Sequence, residues 1–143
     1  MNNFLNYGAI PILLLTSAFF SATEIALSSV NTARIKPKNG EKTPLAKRLA
    51  YKLATQFESS LGAILIGNNL ANSAASAIAT VIVISLLGEG YAWVATAVMT
   101  LLVLTFGEII PKVLAKRFAD KFSVAIAIPM YALSIIFKPV TWL

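Results

Sequence analysis

Three polar clusters hold the side chains that have chemistry to offer. Ser17, Ser21, Glu24 and Ser28 follow one another at intervals of four, three and four residues, which puts them on one helical face. Asn68, Asn69 and Asn72 form the second cluster, with Asn68 and Asn72 on the same face as Ser76. The third is Gly107 and Glu108 followed by Pro111, whose missing N–H frees the Gly107 carbonyl from its helical hydrogen bond. Hydroxyl, carboxamide, carboxylate and freed carbonyl make an all-oxygen donor set. Such a set suits a hard cation, Mg²⁺ among them, with water filling the remaining positions. The 143 residues include no Cys and no His. Thiolate metal sites, disulfides, Cys nucleophiles and imidazole chemistry are thereby excluded. A Ser or Glu acting as a catalyst would need a partner base that is not evident, so the chain is expected to bind an ion and not to be an enzyme.

The elements that must position these residues are membrane helices. Hydrophobic residues make up 57% of the chain, charged residues only 13%, and mean hydropathy is +0.76, values far from those of a soluble domain. The expected fold is an all-α membrane protein, a single transmembrane domain over 1–143, with three spans at about 4–30, 59–87 and 91–115. A signal peptide competes for the first span, but no basic segment precedes it and Glu24 lies within it. Leu45, Leu49, Leu53 and Phe57 recur every fourth residue among cations, which predicts an amphipathic juxtamembrane helix at about 43–58. A second such helix is expected at 119–143, kinked at Pro129 and lying on or half inside the bilayer; a fourth full span is the alternative. The span at 59–87 is crowded with small residues, so it is expected at the centre of a bundle or at a dimer seam.

Charge sets the orientation. Of the twelve cations, seven lie between the first two spans (Arg34, Lys36, Lys38, Lys42, Lys47, Arg48 and Lys52, beside the turn formers Asn39 and Gly40). Four run from Lys112 to Lys121 and one is Lys138. The positive-inside rule places those stretches in the cytoplasm and the N-terminus outside, in the cell membrane. The cations are explained by topology, and no nucleic-acid partner is expected.

Depth brings the clusters together. Ser21 lies nine residues from Val30, Asn68 nine from Ser59 and Glu108 nine from Arg117, so each sits roughly 13 Å from the inner boundary at ~1.5 Å per residue. A site near the midplane beside broken helix geometry is the arrangement of secondary transporters. Plainer readings stand beside it. Glu108 has Lys112 four residues on as an ion-pair partner, and the Asn trio would serve as interhelical glue. Ser17 and Ser28 would bond back to the preceding turn, and Glu24 would support a site from outside it. A membrane-embedded Mg²⁺ sensor or regulatory anchor would use the same site without moving ions.

The segments FFSATEIALSSVN (19–31), LIGNNLANSAAS (65–76) and TFGEIIPKVLAKR (105–117) resemble the transmembrane domain of the CorC/cyclin M family of magnesium transporters, in order and spacing as well as content. The resemblance implies a homodimer of three-span protomers in the lipid bilayer and Na⁺-coupled Mg²⁺ export. It places the Mg²⁺ contacts on Ser21, Asn68, Asn72 and Glu108. Ser17, Glu24, Ser28, Asn69, Gly107 and Pro111 remain as supporting residues or a Na⁺ site. It also implies cytoplasmic nucleotide-binding regulatory domains in the full-length protein, absent from this chain.

Overall fold

The computed structural model describes residues 3–37 and 44–141, all helix and short connections. Lys38, Asn39, Gly40 and Lys42 of the basic connection lie outside the described residues, as do position 43 and positions 142–143. Helix α1 spans Asn3–Ser29 and α2 Thr32–Ile35, the latter capped by the Asn31 side chain, which accepts from the Ala33 N–H at 3.0 Å. Helix α3 spans Leu45–Thr55 and α4 Phe57–Leu87. Gly88, at φ +100°, ends α4 in a conformation open to glycine. A single 3₁₀ turn, Glu89–Tyr91, leads into α5, Ala92–Leu102. A π-helical segment, Val103–Ile109, joins α5 to α6, Ile110–Arg117, and α7 spans Ala119–Thr141.

Three boundaries differ from the sequence expectation. The amphipathic helix stops at Thr55, because Gln56 leaves helical geometry (φ −111°, ψ 43°) and turns the chain, so that Phe57 opens the second span instead of closing the surface helix. The third segment is not broken at Gly107–Pro111. It widens instead: the Ile110 N–H reaches Thr105 O, five residues back, and the helix resumes with Pro111 in its first turn, where a proline is tolerated. Finally, four helices rather than three are long and apolar enough to cross a membrane: Tyr7–Ser29, Phe57–Leu87, Glu89–Arg117 and Ala119–Phe137. The last runs without interruption through Pro129.

Within the chain α1, not α4, is the most enclosed helix. It packs antiparallel to α4: Phe20 shares a buried cluster with Ala63 and Ile64, whereas Ile10, Leu13 and Leu14 pack on the cluster holding Ala75 and Ala79. Gly67, Ala71, Ala75 and Ala79, each four residues apart, form the buried face of α4, while Asn69, Ser73, Ser76 and Ala77 face outward. The small residues therefore serve two surfaces, one inside the chain and one open to lipid or a partner. At the closest approach a Cβ on Gly67 would overlap the ring of Phe20, itself buried. Gly67→Ala is expected to destabilise the protein by about 1–3 kcal/mol, the usual cost of overpacking. Adding Phe20→Leu should recover part of that loss in thermal unfolding; no recovery would place the strain elsewhere.

Candidate ion site

The antiparallel packing decides which polar groups meet. Ser17, fully buried on α1, donates its Oγ hydrogen to Asn68 Oδ1 on α4 at 2.8 Å, and Asn72 Nδ2 donates to the same oxygen at 3.5 Å. The Ser17 side chain also lies against the backbone of Gly107, whose missing Cβ would fall 3.0 Å from Oγ. One point on α1 thus joins α4 and the π segment. The depth count sets Ser21 opposite Asn68; Ser17, one turn further from the basic end, holds that place, and the start of α4 at Phe57 instead of 59 accounts for about half of that shift at ~1.5 Å per residue.

Ser21 and Asn72 then flank this contact on opposite sides, each one turn away, or roughly 5.4 Å along the axis. Their free oxygens have something in common: Ser21 Oγ and Asn72 Oδ1 are buried and have no hydrogen-bond partner among the described residues. An unmet buried oxygen costs about 1–3 kcal/mol, so two in one polar column call for an explanation. Both have lone pairs to offer, to a cation or to a water bound with it.

The π segment frees backbone oxygens from helical hydrogen bonds. Gly107 loses its α-helical donor to Pro111, as the sequence predicts. Phe106 loses both: the amide four residues on, Ile110, donates to Thr105, and the residue five on is Pro111. The Phe106 carbonyl was missed because its release depends on the π register, for which an isolated Gly-Glu before Ile-Ile-Pro is the available signal. Glu108, half-buried beside Gly107, takes part in none of the hydrogen bonds or ion pairs of the described residues. Its expected alternative partner is engaged elsewhere: Lys112 Nζ lies 3.8 Å from Glu24 Oε2. That pair accounts for Glu24, which the sequence left between support and ligand. Ser28 Oγ bonds back to Ile25 O at 3.1 Å, and Asn69 faces outward, away from the column. Among the described residues no three acidic side chains gather; of the two acids in these clusters, Glu24 is paired with Lys112 and Glu108 is the one left without an ion pair.

A helical domain that crosses the membrane several times around a buried polar column belongs to the class of polytopic membrane proteins. Its family follows from the same residues: the chain belongs to the Cyclin M transmembrane N-terminal domain family, which it matches over residues 9–143. This is a family of membrane domains associated with metal-ion transport. The chain is 40% identical over 132 residues to a UPF0053 protein of Haemophilus influenzae, covering 92% of this chain and 31% of that protein. It is 33% identical over 127 residues to the UPF0053 inner membrane protein YfjD of Escherichia coli, with 89% and 29% covered. To a UPF0053 protein of Synechocystis it is 34% identical over 136 residues, with 95% and 39% covered. The chain thus spans about a third of the length of these relatives.

Proposed function

We propose that this domain carries Mg²⁺ across the cell membrane by alternating access, with Na⁺ as the coupling ion and a homodimer as the working unit. The observation that carries the reading is the pair of orphaned buried oxygens, Ser21 Oγ and Asn72 Oδ1, flanking the Ser17–Asn68 contact, with Glu108 next in the chain to the Gly107 that packs on Ser17. In this reading Glu108 supplies the charge, Asn68 and Asn72 supply carboxamide oxygens, and Ser21 a hydroxyl or carbonyl. The π segment lends carbonyls and a point of flexure. Mg²⁺ keeps several waters when bound, so an ion on one turn of the column would take that turn's oxygens directly and reach the other turn through water. Na⁺ coupling and export follow from family resemblance. The dimer is supported by the outward stripe of Asn69, Ser73, Ser76 and Ala77, polar and small at membrane depth, which another helix would cover better than lipid.

Orientation is read from charge: basic ends in the cytoplasm, N-terminus outside. In the same reading α7 lies along the cytoplasmic surface, leaving three spans. Asp120, near its start, meets Asn31 and Arg34 at the end of α1, while Tyr131, eleven residues on, meets Lys52 (Oη–Nζ 3.4 Å) beside the start of α4. A crossing helix would have descended ~16 Å over that distance; both contacts are instead with residues at the basic boundary.

The test is Mg²⁺ flux into sealed vesicles holding the full-length protein, with and without a Na⁺ gradient, for wild type and Asn72→Ala. Flux lost in the variant supports transport. Saturable Mg²⁺ binding with no flux would overturn it in favour of a sensor or anchor. Ser17 gives a test by sign. Its hydroxyl occupies Asn68 Oδ1, so an ion taking that oxygen must displace a hydrogen bond worth about 0.5–1.5 kcal/mol. Ser17→Ala is therefore expected to tighten apparent Mg²⁺ affinity about two- to tenfold in a thermal-shift titration. A weaker affinity would make Ser17 itself a ligand.

A further inference from the structure

We propose a second site, for the phosphate headgroup of an anionic glycerophospholipid, in the basic pocket where α1–α2 meets the α6–α7 junction. The pocket, about 400 Å³, is lined by Arg34, Lys116, Arg117 and Lys121 with Asp120 and Asn31. Asp120 is the one acid among its described lining residues and is already committed: one carboxylate oxygen accepts from the Asn31 N–H at 3.2 Å and the other from Arg34 at 3.3 Å. These bonds tie the pocket walls together and match the charge of Arg34. Lys116, Arg117 and Lys121 are left without an ion pair among the described residues. The N-terminus of the 23-residue α7 opens into the same pocket and adds partial positive charge.

The surface beneath selects a lipid over a free anion. Ile109, Ile110 and Val113 precede Lys116 and Arg117 at helical spacing and are all exposed, as is Phe118, over whose ring Arg117 sits at 5.7 Å. A phosphate held by the three cations would lay its acyl chains down this apolar track. Basic pockets between membrane helices bind anionic headgroups in this manner. The site stands apart from the ion-transport reading and does not depend on it.

The test compares the purified protein in zwitterionic micelles supplemented with phosphatidylglycerol, with phosphatidylcholine, or with inorganic phosphate. Bound lipid is counted by native mass spectrometry and stability followed by thermal unfolding. Phosphatidylglycerol is expected to remain bound and to raise Tm, with little effect from the other two. The exposed triple variant Lys116→Gln/Arg117→Gln/Lys121→Gln should weaken phosphatidylglycerol on the order of 100-fold, since each cation near an anionic surface contributes about fivefold. It should keep the wild-type Tm in phosphatidylcholine. The control Lys47→Gln/Arg48→Gln/Lys52→Gln removes the same charge elsewhere and should change affinity less than about threefold. Equal losses in both triples would mean diffuse surface attraction and overturn the site. Unchanged affinity in the first triple would do the same, and equal stabilisation by inorganic phosphate would assign the pocket to a free anion.

Discussion

Glu108→Gln is expected to abolish the response of the protein to Mg²⁺ while making the ion-free protein more stable. The two effects share a cause. The carboxylate has no partner among the described residues, and an unpaired acid inside a membrane helix costs about 2.5–3.5 kcal/mol on insertion scales. Removing its charge relieves that cost. The same charge attracts the ion: at ~4 Å and an effective dielectric of ~20, one unit charge contributes about 4 kcal/mol against another, more for a divalent ion. Apparent Mg²⁺ affinity should therefore fall at least a thousandfold, by the same estimate. Asn72→Ala takes away one neutral oxygen and should cost about tenfold, in line with a single polar contact. In wild type, a hundredfold excess of Mg²⁺ over Kd should stabilise by about 2.7 kcal/mol in thermal unfolding. If the polar residues were only glue, the ranking would reverse. Asn72→Ala would destabilise and Glu108→Gln would leave the Mg²⁺ titration untouched; that outcome would end the ion-site reading.

The sequence shows the membrane class because its signal is composition and length, which packing does not alter. It shows the site residues as types, because Glu, Asn and Ser stand out in apolar runs. What it could not show is which of them touch. Ser17 and Ser21 occupy the same α1 face one turn apart, and which of them meets Asn68 depends on the axial offset of α1 against α4, set by packing such as that of Phe20 on Gly67, and only in part by where α4 begins. Likewise Lys112 is four residues from Glu108 in sequence, the spacing of an ion pair on a regular helix. The residues between belong to the π segment and its exit into α6, and local spacing does not decide the partner there. Lys112 then finds Glu24 across the interface with α1. For α7, a 19-residue apolar stretch satisfies the length of a span whether or not it crosses, so only its contacts bear on the choice.

The Glu24–Lys112 pair yields the second large effect, and a double-mutant cycle isolates it. Glu24→Gln strands an ammonium and Lys112→Met strands a carboxylate at the seam between α1 and α6. Removing one partner of a buried pair costs about 3–5 kcal/mol. Here the side chains are 28% and 37% exposed and 3.8 Å apart, so each single variant should lose a smaller amount, about 1–3 kcal/mol. The double variant, with no charge left to strand, should recover most of that loss. Additive losses would mean that the two residues do not interact. Mg²⁺ titration of the same variants separates positioning from ligation. A pair that only holds α6 against α1 leaves Mg²⁺ affinity within a few-fold of wild type in Glu24→Gln, even as stability and transport rate fall. A collapse as large as that expected for Glu108→Gln would make Glu24 a ligand, and Lys112 the cation that occupies its place when no metal is bound.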